Sequence, residues 1–351
     1  MAFLKIENVA IRGISACIPS NVEENKDYPF FAENELDRMI PTIGVERRHV
    51  CDSGVTPSDM CYKAAEKLIE ELRWEKDSID LLIFNSPKRD FISPDTACIM
   101  QDRLGLSNSV MAFDTNLGCT GWVYGLSTIA SILSVGTMRR ALLLCGDIPS
   151  KNSSYYDKTE YPLFSDCGTA TAFEFSEGAA DIICELGTDG SGYEAIIQRD
   201  GGARNPFSAD SLVMHEYGPG IKRTNLNSEM DGMSVFSFAM KRAPNSLKNL
   251  MEYINKDIAD VDDFFFHQAN LYMNKKIAKK AGIEFEKLPF SIYDYGNTSN
   301  ASIPLTMVVT RKGQLTTSNR KNVGCAFGVG LSWASVYFET NKLTIPDIIY
   351  C

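Results

Sequence analysis

Three residues have the type and the placing to do chemistry together: Cys119, His267 and Asn297. Cys119 follows the strand-like MAFDTN through Leu117-Gly118 and opens the amphipathic run CTGWVYGLSTIASILS. A cysteine at a strand-to-helix turn faces unpaired N–H groups and the positive end of the helix dipole, both of which favour thiolate. Such a turn also lifts the side chain to the carboxyl end of the sheet, where α/β proteins place their ligands. The competing reading is a small residue that lets the helix pack closely. His267 ends the run DDFFF ahead of Gln-Ala-Asn, at the expected carboxyl end of a buried strand. It reads either as a partner for Cys119 or as a hydrogen-bonded structural histidine, and His49 and His215 have weaker context. Asn297, in Tyr295-Gly296-Asn297-Thr298-Ser299, reads on its own as a turn former or helix cap.

The elements that must position these residues occur twice. DSIDLLIFN is an acidic lead-in to an apolar strand, followed by a helical stretch ending at Leu104-Gly105; DIADVDDFFFH repeats the pattern, with LYMNKKIAKKAG as its helix. VMAFDTNLGC then runs as a strand into a turn and helix, and PFSIYDYGNTS into NASIPLTMVVT is read as the same strand, turn and helix. RALLLCGD and NVGCAFGVG complete the parallel at an offset of about 180 residues, a duplication of a whole unit rather than a short solenoid repeat. Asn297 therefore lies in the duplicate of the Cys119 turn. Strands alternating with helices imply α/β units, and the continuous runs LLIF and FFF suit strands covered on both faces. The expected organisation is two fused halves, 1–180 carrying the cysteine and 181–351 carrying the histidine and asparagine, with a shared site between them.

Composition narrows the function. A net charge of −10 argues against general nucleic-acid binding, which needs a cationic surface, and 44% hydrophobic with 23% charged residues is the balance of a globular protein. No apolar run approaches the ~18 residues of a membrane span, and MAFLKIENVAIRG reads as a first strand rather than a leader. A cytoplasmic protein without membrane contact is expected. The ten cysteines are scattered and the histidines number three, so a metal site has little support.

These motifs, taken together, resemble the β-ketoacyl-acyl carrier protein synthase III family of thiolase-superfamily condensing enzymes. The resemblance covers nearly the whole chain. It runs through Gly44-Val45-Glu46-Arg47-Arg48-His49, the Cys119 turn, and Phe164-Ser165-Asp166-Cys167-Gly168-Thr169-Ala170. It continues through His267-Gln268-Ala269-Asn270, Gly296-Asn297-Thr298-Ser299 and Phe327-Gly328-Val329-Gly330. It implies a thiolase-like α/β fold, two duplicated halves in an α-β-α-β-α layering, and a homodimer. It also implies the reaction. Cys119 takes an acyl group from a thioester, and a malonyl thioester on acyl carrier protein then loses carbon dioxide and condenses to a 3-oxoacyl thioester, as in fatty acid biosynthesis. His267 and Asn297 would hydrogen-bond the enolate-like oxygen, while the backbone amides of Cys119 and Val329 would form the oxyanion hole. No cofactor or metal is implied. The alternative is a non-condensing acyltransferase of the same fold, passing the acyl group to a hydroxyl or amine.

By the same resemblance Gly232, Phe236 and Asn270 line the pantetheine channel. Two positions that hold the coenzyme A nucleotide in relatives, usually Trp and Arg, are here Arg38 and Thr42, and a facing Arg aligns loosely with Lys158. That departure hints at a carrier-protein donor or an unusual coenzyme A ester. Lys275, Lys276, Lys279 and Lys280 repeat at helical spacing after His267, either as a docking patch for an acidic carrier or as a solvated helix face. Ser93, where relatives often carry Phe in a loop that closes the acyl pocket, would admit a longer or more polar acyl group.

Overall fold

The computed structural model describes residues 2–351. Two mixed sheets sit between three helical layers. The six-stranded sheet runs β17 (Ile349–Tyr350), β2 (Val9–Ile18), β8 (Cys167–Phe175), β7 (Arg140–Asp147), β5 (Leu81–Asn85) and β6 (Met111–Thr115). The five-stranded sheet runs β1 (Ala2–Ile6), β9 (Ile182–Thr188), β16 (Ser332–Asn341), β15 (Asn319–Gly328) and β14 (Asp263–Phe266). The pairing repeats: β2–β8 and β8–β7 are antiparallel with β7–β5 parallel, and so are β9–β16, β16–β15 and β15–β14 in the same order.

The middle layer holds α4 (Gly121–Leu133) and α9 (Ser302–Thr317), whose apolar side chains pack against both sheets in one core. A helix between two sheets has no solvent face, and α4 is accordingly mostly apolar, with the Ser127 and Thr128 hydroxyls turned onto the helix's own Tyr124 carbonyl. Outside the six-stranded sheet lie α2 (Pro57–Leu72) and α3 (Thr96–Arg103); outside the five-stranded sheet lie α6 (Gly232–Tyr253) and α7 (Leu271–Ala281). The layering is the α-β-α-β-α order implied by the resemblance. Smaller elements frame the site. They are the ribbons β3 (Val22–Glu24)–β4 (Arg47–His49), β10 (Ile196–Gln198)–β13 (Ser228–Met230) and β11 (His215–Gly218)–β12 (Ile221–Arg223), with α1 (Glu33–Ile43) and two single-turn helices, α5 (Pro149–Asn152) and α8 (Ile292–Tyr295). Among the described residues no helix is long and apolar enough to cross a membrane.

Two features depart from the sequence reading. The segment PFSIYDYG is not a strand matching β6: it forms α8, and the only sheet-like pairing there is a single bridge between Phe164 and Asn297. Pro289 removes an amide that a ladder would need, and Ile292 is drawn instead into a small core with Ile43, Val45 and Leu271. The halves also trade their terminal strands. Chain-initial β1 completes the sheet of the second half, and chain-terminal β17 edges the sheet of the first. A division at residue 180 falls between β8 and β9 but leaves both exchanged strands on the wrong side.

Candidate active site

The carboxyl ends of β6, β14 and β15 converge on one cavity of about 370 Å³, lined by Cys119, His267, Asn297, Gly328 and Val329 among others. Cys119 does not open α4: it stands in the turn before it, two residues ahead of Gly121. That turn is anchored by Asn85 at the end of β5, whose Nδ2 donates to the Leu117 carbonyl at 2.8 Å while its Oδ1 accepts the Thr115 hydroxyl at 2.7 Å. Gly121 is required by this anchor, because a Cβ there would lie 2.1 Å from the Asn85 amide nitrogen. Gly328 is required by the nucleophile itself, since its Cβ would lie 2.4 Å from the Cys119 sulfur.

The electrostatics correct a second expectation. Burial pushes the Cys119 thiol up, and the amides of Val329 and Cys119 itself pull only part of the way back. The resting side chain is a thiol rather than a thiolate. Those two amides nevertheless meet at the sulfur, so the donors expected of an oxyanion hole are adjacent to the reacting atom. Ser332 ties the Val329 loop to the cysteine turn: its hydroxyl donates to the Val329 carbonyl at 2.8 Å and meets the Thr120 hydroxyl at 2.9 Å.

His267 follows β14 directly, its amide bonded to the Cys325 carbonyl at 2.8 Å, and its ring is almost fully buried. Burial lowers its pKa to about 4, with the Ser299 backbone pulling the other way. The imidazole is therefore neutral at pH 7 and carries a single N–H. Its Nδ1 has no hydrogen-bond partner among the described residues. Asn297 is fixed at both levels. Its backbone bonds to Leu163 (2.8 Å) and Ser165 (3.1 Å), and its Oδ1 accepts the Ser299 amide at 2.9 Å. That bond commits the oxygen and leaves the Nδ2 protons as the free donors on a side chain that lines the cavity. The turn-former reading of Asn297 is thus realised, on a side chain that also lines the cavity. Asn300 then joins the halves, its Nδ2 reaching the carbonyls of Asn85 (2.8 Å) and Gly146 (3.2 Å).

Other expected positions divide. Gly232 and Asn270 line the cavity, and Asn270 also caps α7 by accepting the Met273 amide at 2.8 Å. Phe236 is not among the lining residues. Its ring stacks on Tyr272 at 6.0 Å between α6 and α7, and Val235 lines the cavity beside Gly232. Lys275, Lys276, Lys279 and Lys280 are all exposed on α7, Lys276 over the Tyr272 ring and Lys280 bonded to the Met240 carbonyl. Arg38 and Thr42 are exposed on α1, and Lys158 is held by Glu35 at 2.8 Å. Ser93 is exposed in the loop before α3.

Three ionisable lining residues escaped the sequence reading: Lys88, Asp147 and Glu160. Burial pushes Asp147 up to about 6, against the Ser299 side chain and Lys88. It also pushes Glu160 up to about 7, against the Ser228 hydroxyl. Asp147 had a usable signal, since it ends the apolar strand RALLLCGD at the sheet edge where ligands gather. Lys88 and Glu160 lie in irregular segments with no periodicity to place them.

Family models place the chain among known proteins. The model for 3-oxoacyl-[acyl-carrier-protein (ACP)] synthase III matches residues 113–190, and that for its C-terminal part matches 251–340. A putative 3-oxoacyl-[acyl-carrier-protein] synthase 3 of Campylobacter jejuni is 30% identical over 98% of each chain. A beta-ketoacyl-[acyl-carrier-protein] synthase III of Streptococcus agalactiae is 31% identical over 96% of this chain and 99% of its own. The crystal structure of a 3-oxoacyl-(acyl-carrier protein) synthase from Burkholderia xenovorans LB400 superposes with a TM-score of 0.94 at 36% identity, covering 100% of this chain and 99% of that one.

Proposed function

We propose that this chain, which belongs to the 3-oxoacyl-[acyl-carrier-protein] synthase III family, makes 3-oxoacyl thioesters by decarboxylative condensation. The observation that carries the proposal is the convergence on one cavity of the Cys119 sulfur, the Val329 amide and the free donor of Asn297, with the neutral His267 beside them. Cys119, deprotonated as the donor thioester binds, attacks its carbonyl carbon. The oxyanion is held by the Cys119 and Val329 amides, and collapse expels the donor thiol and leaves a Cys119 thioester. A malonyl thioester on acyl carrier protein then binds with its carbonyl oxygen against His267 and Asn297. Breaking its bond to the carboxylate releases carbon dioxide and leaves the electron pair as an enolate that these donors stabilise. The enolate carbon attacks the Cys119 thioester, the new carbon–carbon bond forms, and the sulfur leaves as thiolate.

A neutral imidazole suits this role, because it donates one proton in a hydrogen bond without needing to give it up. The altered positions Arg38 and Thr42, and the engagement of Lys158 by Glu35, favour a donor that does not depend on nucleotide contacts. A homodimer fits the outer edge of β6, which has no neighbour strand among the described residues and carries exposed Met111, with Phe91 and Ile92 also exposed in the loop before α3. Mass spectrometry of the Cys119 peptide after exposure to acyl thioesters tests the reaction. Acyl mass discharged only by malonyl-carrier protein is expected; discharge to an alcohol or amine would replace condensation with simple acyl transfer. Loading from coenzyme A and carrier-protein donors in the same assay compares the two.

A further inference from the structure

One wall of the Cys119 cavity is polar, and the condensation makes no use of it. The ribbon of β10 and β13 sets Gln198 opposite Ser228, and both side chains line the cavity. Each is extended by a charged residue from the first half. At the exposed side, Lys88 Nζ donates to Gln198 Oε1 at 2.8 Å. At the buried side, the Ser228 hydroxyl donates to Glu160 Oε2 at 2.6 Å. Glu160 is only 2% exposed and Ser153 only 5%, and both line the same cavity. The Met230 amide lies near the Glu160 carboxyl, yet Glu160 Oε1 and the Ser153 hydroxyl have no hydrogen-bond partner among the described residues. Two unpartnered, buried polar atoms in the wall of a substrate cavity are costly against an alkyl chain, which can satisfy neither.

We propose that Glu160 and Ser153 read a hydroxyl group on the acyl chain, so that the group carried by Cys119 is a hydroxylated acyl group rather than a plain alkyl one. A hydroxyl gives its proton to Glu160 Oε1 and accepts one from the Ser153 hydroxyl, satisfying both with one atom. A carboxylate-bearing chain would meet the carboxyl groups of Glu160 and Asp147. An ammonium-bearing chain would share the cavity with Lys88. Burial holds the Glu160 carboxyl near neutrality, at about 7, so that it both accepts and donates around physiological pH, as a hydroxyl does. A site built to pair a hydroxyl discriminates strongly against the analogue lacking it, because its own groups are then left unpaired.

The inference rests on the condensation reading only in that Cys119 carries an acyl group, and the test keeps the two apart. The full chain is incubated with matched donors of four to eight carbons, unsubstituted and hydroxylated at successive positions. Each is presented both as a coenzyme A ester and on acyl carrier protein, and acylation of the Cys119 peptide is timed by mass spectrometry. At least one hydroxylated isomer is expected to acylate tenfold or more faster, in kcat/KM, than its unsubstituted partner. Glu160→Leu and Ser153→Ala should each lower that ratio at least fivefold, and Glu160→Gln should restore part of it. A wild-type chain that loads unsubstituted donors as well or better across the panel overturns the hydroxyl proposal and leaves the condensation reading standing. A ratio unmoved by either substitution does the same. Failure of every donor to load Cys119 overturns both.

Discussion

In the first half of the chain, β6 delivers Cys119 to a turn ahead of α4; at the corresponding place in the second half, α8 delivers Asn297 to a turn ahead of α9. The two turns are built to opposite ends. Around Cys119 the backbone is held, by Asn85 on the Leu117 carbonyl, while the sulfur is kept clear by a glycine at 328. Around Asn297 the side chain itself is held, its oxygen committed to the Ser299 amide and its backbone bridged to Leu163 and Ser165. A nucleophile must accept a load, swing and release it. A hydrogen-bond donor aimed at developing charge must not rotate, since its contribution depends on being oriented before the charge appears. The duplicated scaffold thus brings to the same cavity one group held through its backbone and one held through its side chain as well.

The sharpest way to break this comparison is to remove each group in turn and follow the two half-reactions. Cys119→Ala should abolish condensation, by a factor on the order of 10⁴ or more, yet leave slow carbon dioxide release from the malonyl thioester, measured with labelled carboxylate. His267→Ala or Asn297→Ala should do the reverse, lowering decarboxylation by roughly 10²–10³ while Cys119 still acquires its acyl mass at a rate within a few-fold of wild type. If the second-half variants stopped acylation as well, the division of labour between the turns would be wrong.

A pH profile separates the turns with a smaller effect. The Cys119 thiol is raised above its ordinary value by burial, so the thiolate fraction grows with pH throughout the neutral range. Acylation should accordingly keep climbing with pH between pH 6.5 and 8.5, with no plateau near neutrality. His267, with its pKa lowered to about 4, is already neutral at pH 5.5 and stays so upward. Decarboxylation by enzyme acylated beforehand should show no inflection near 6.5 that depends on His267. A step there that persists in Asp147→Asn and Glu160→Gln, in stopped-flow measurements of the second half-reaction alone, would mean that the imidazole titrates in the working range; one that those substitutions remove belongs to the cavity carboxyls.

What could be read from the sequence follows from how local each signal was. Leu81–Asn85 and Asp263–Phe266 were legible because strands covered on both faces must be continuously apolar, and the Cys119 and Asn297 turns were legible as repeats of one another. The α8 segment misled because IYDY alternates like a strand, and its fate is decided by Pro289 and by the remote partners of Ile292, Val45 and Leu271. The exchange of β1 and β17 is invisible to any local pattern, being a pairing between opposite ends of the chain. Glu160 was hidden for the same reason: it lies in an irregular stretch and acquires meaning only beside Ser228, which arrives from the other half, and Ser153 only as a wall of the same cavity.

The helices that follow the corresponding strands β5 and β14 differ as well, with a smaller expected effect. After β5, α3 carries one basic residue in its last turn, Arg103, already paired with Asp59 at 2.8 Å. After β14, α7 exposes Lys275, Lys276, Lys279 and Lys280. Lys279 and Lys280 occupy the last turn, where cations complement the helix dipole whether or not anything docks. Lys275 and Lys276 have no such explanation, and they stand nearer Asn270, the α7 cap that lines the cavity. At 1.5 Å rise per residue they are about 8 Å along the axis from that cap, against about 14 Å for the later pair. Reversing charge at Lys275 and Lys276 should therefore raise KM for malonyl-carrier protein roughly three- to tenfold at low salt, and reversing it at Lys279 and Lys280 by less. Added salt should shrink both effects, since exposed charges are screened beyond about 10 Å at 0.1 M. A small malonyl thioester lacking the protein should bind all variants alike. Equal losses for both substrates would instead mean that the lysines hold the helix, and that the difference between α3 and α7 is one of solvation alone.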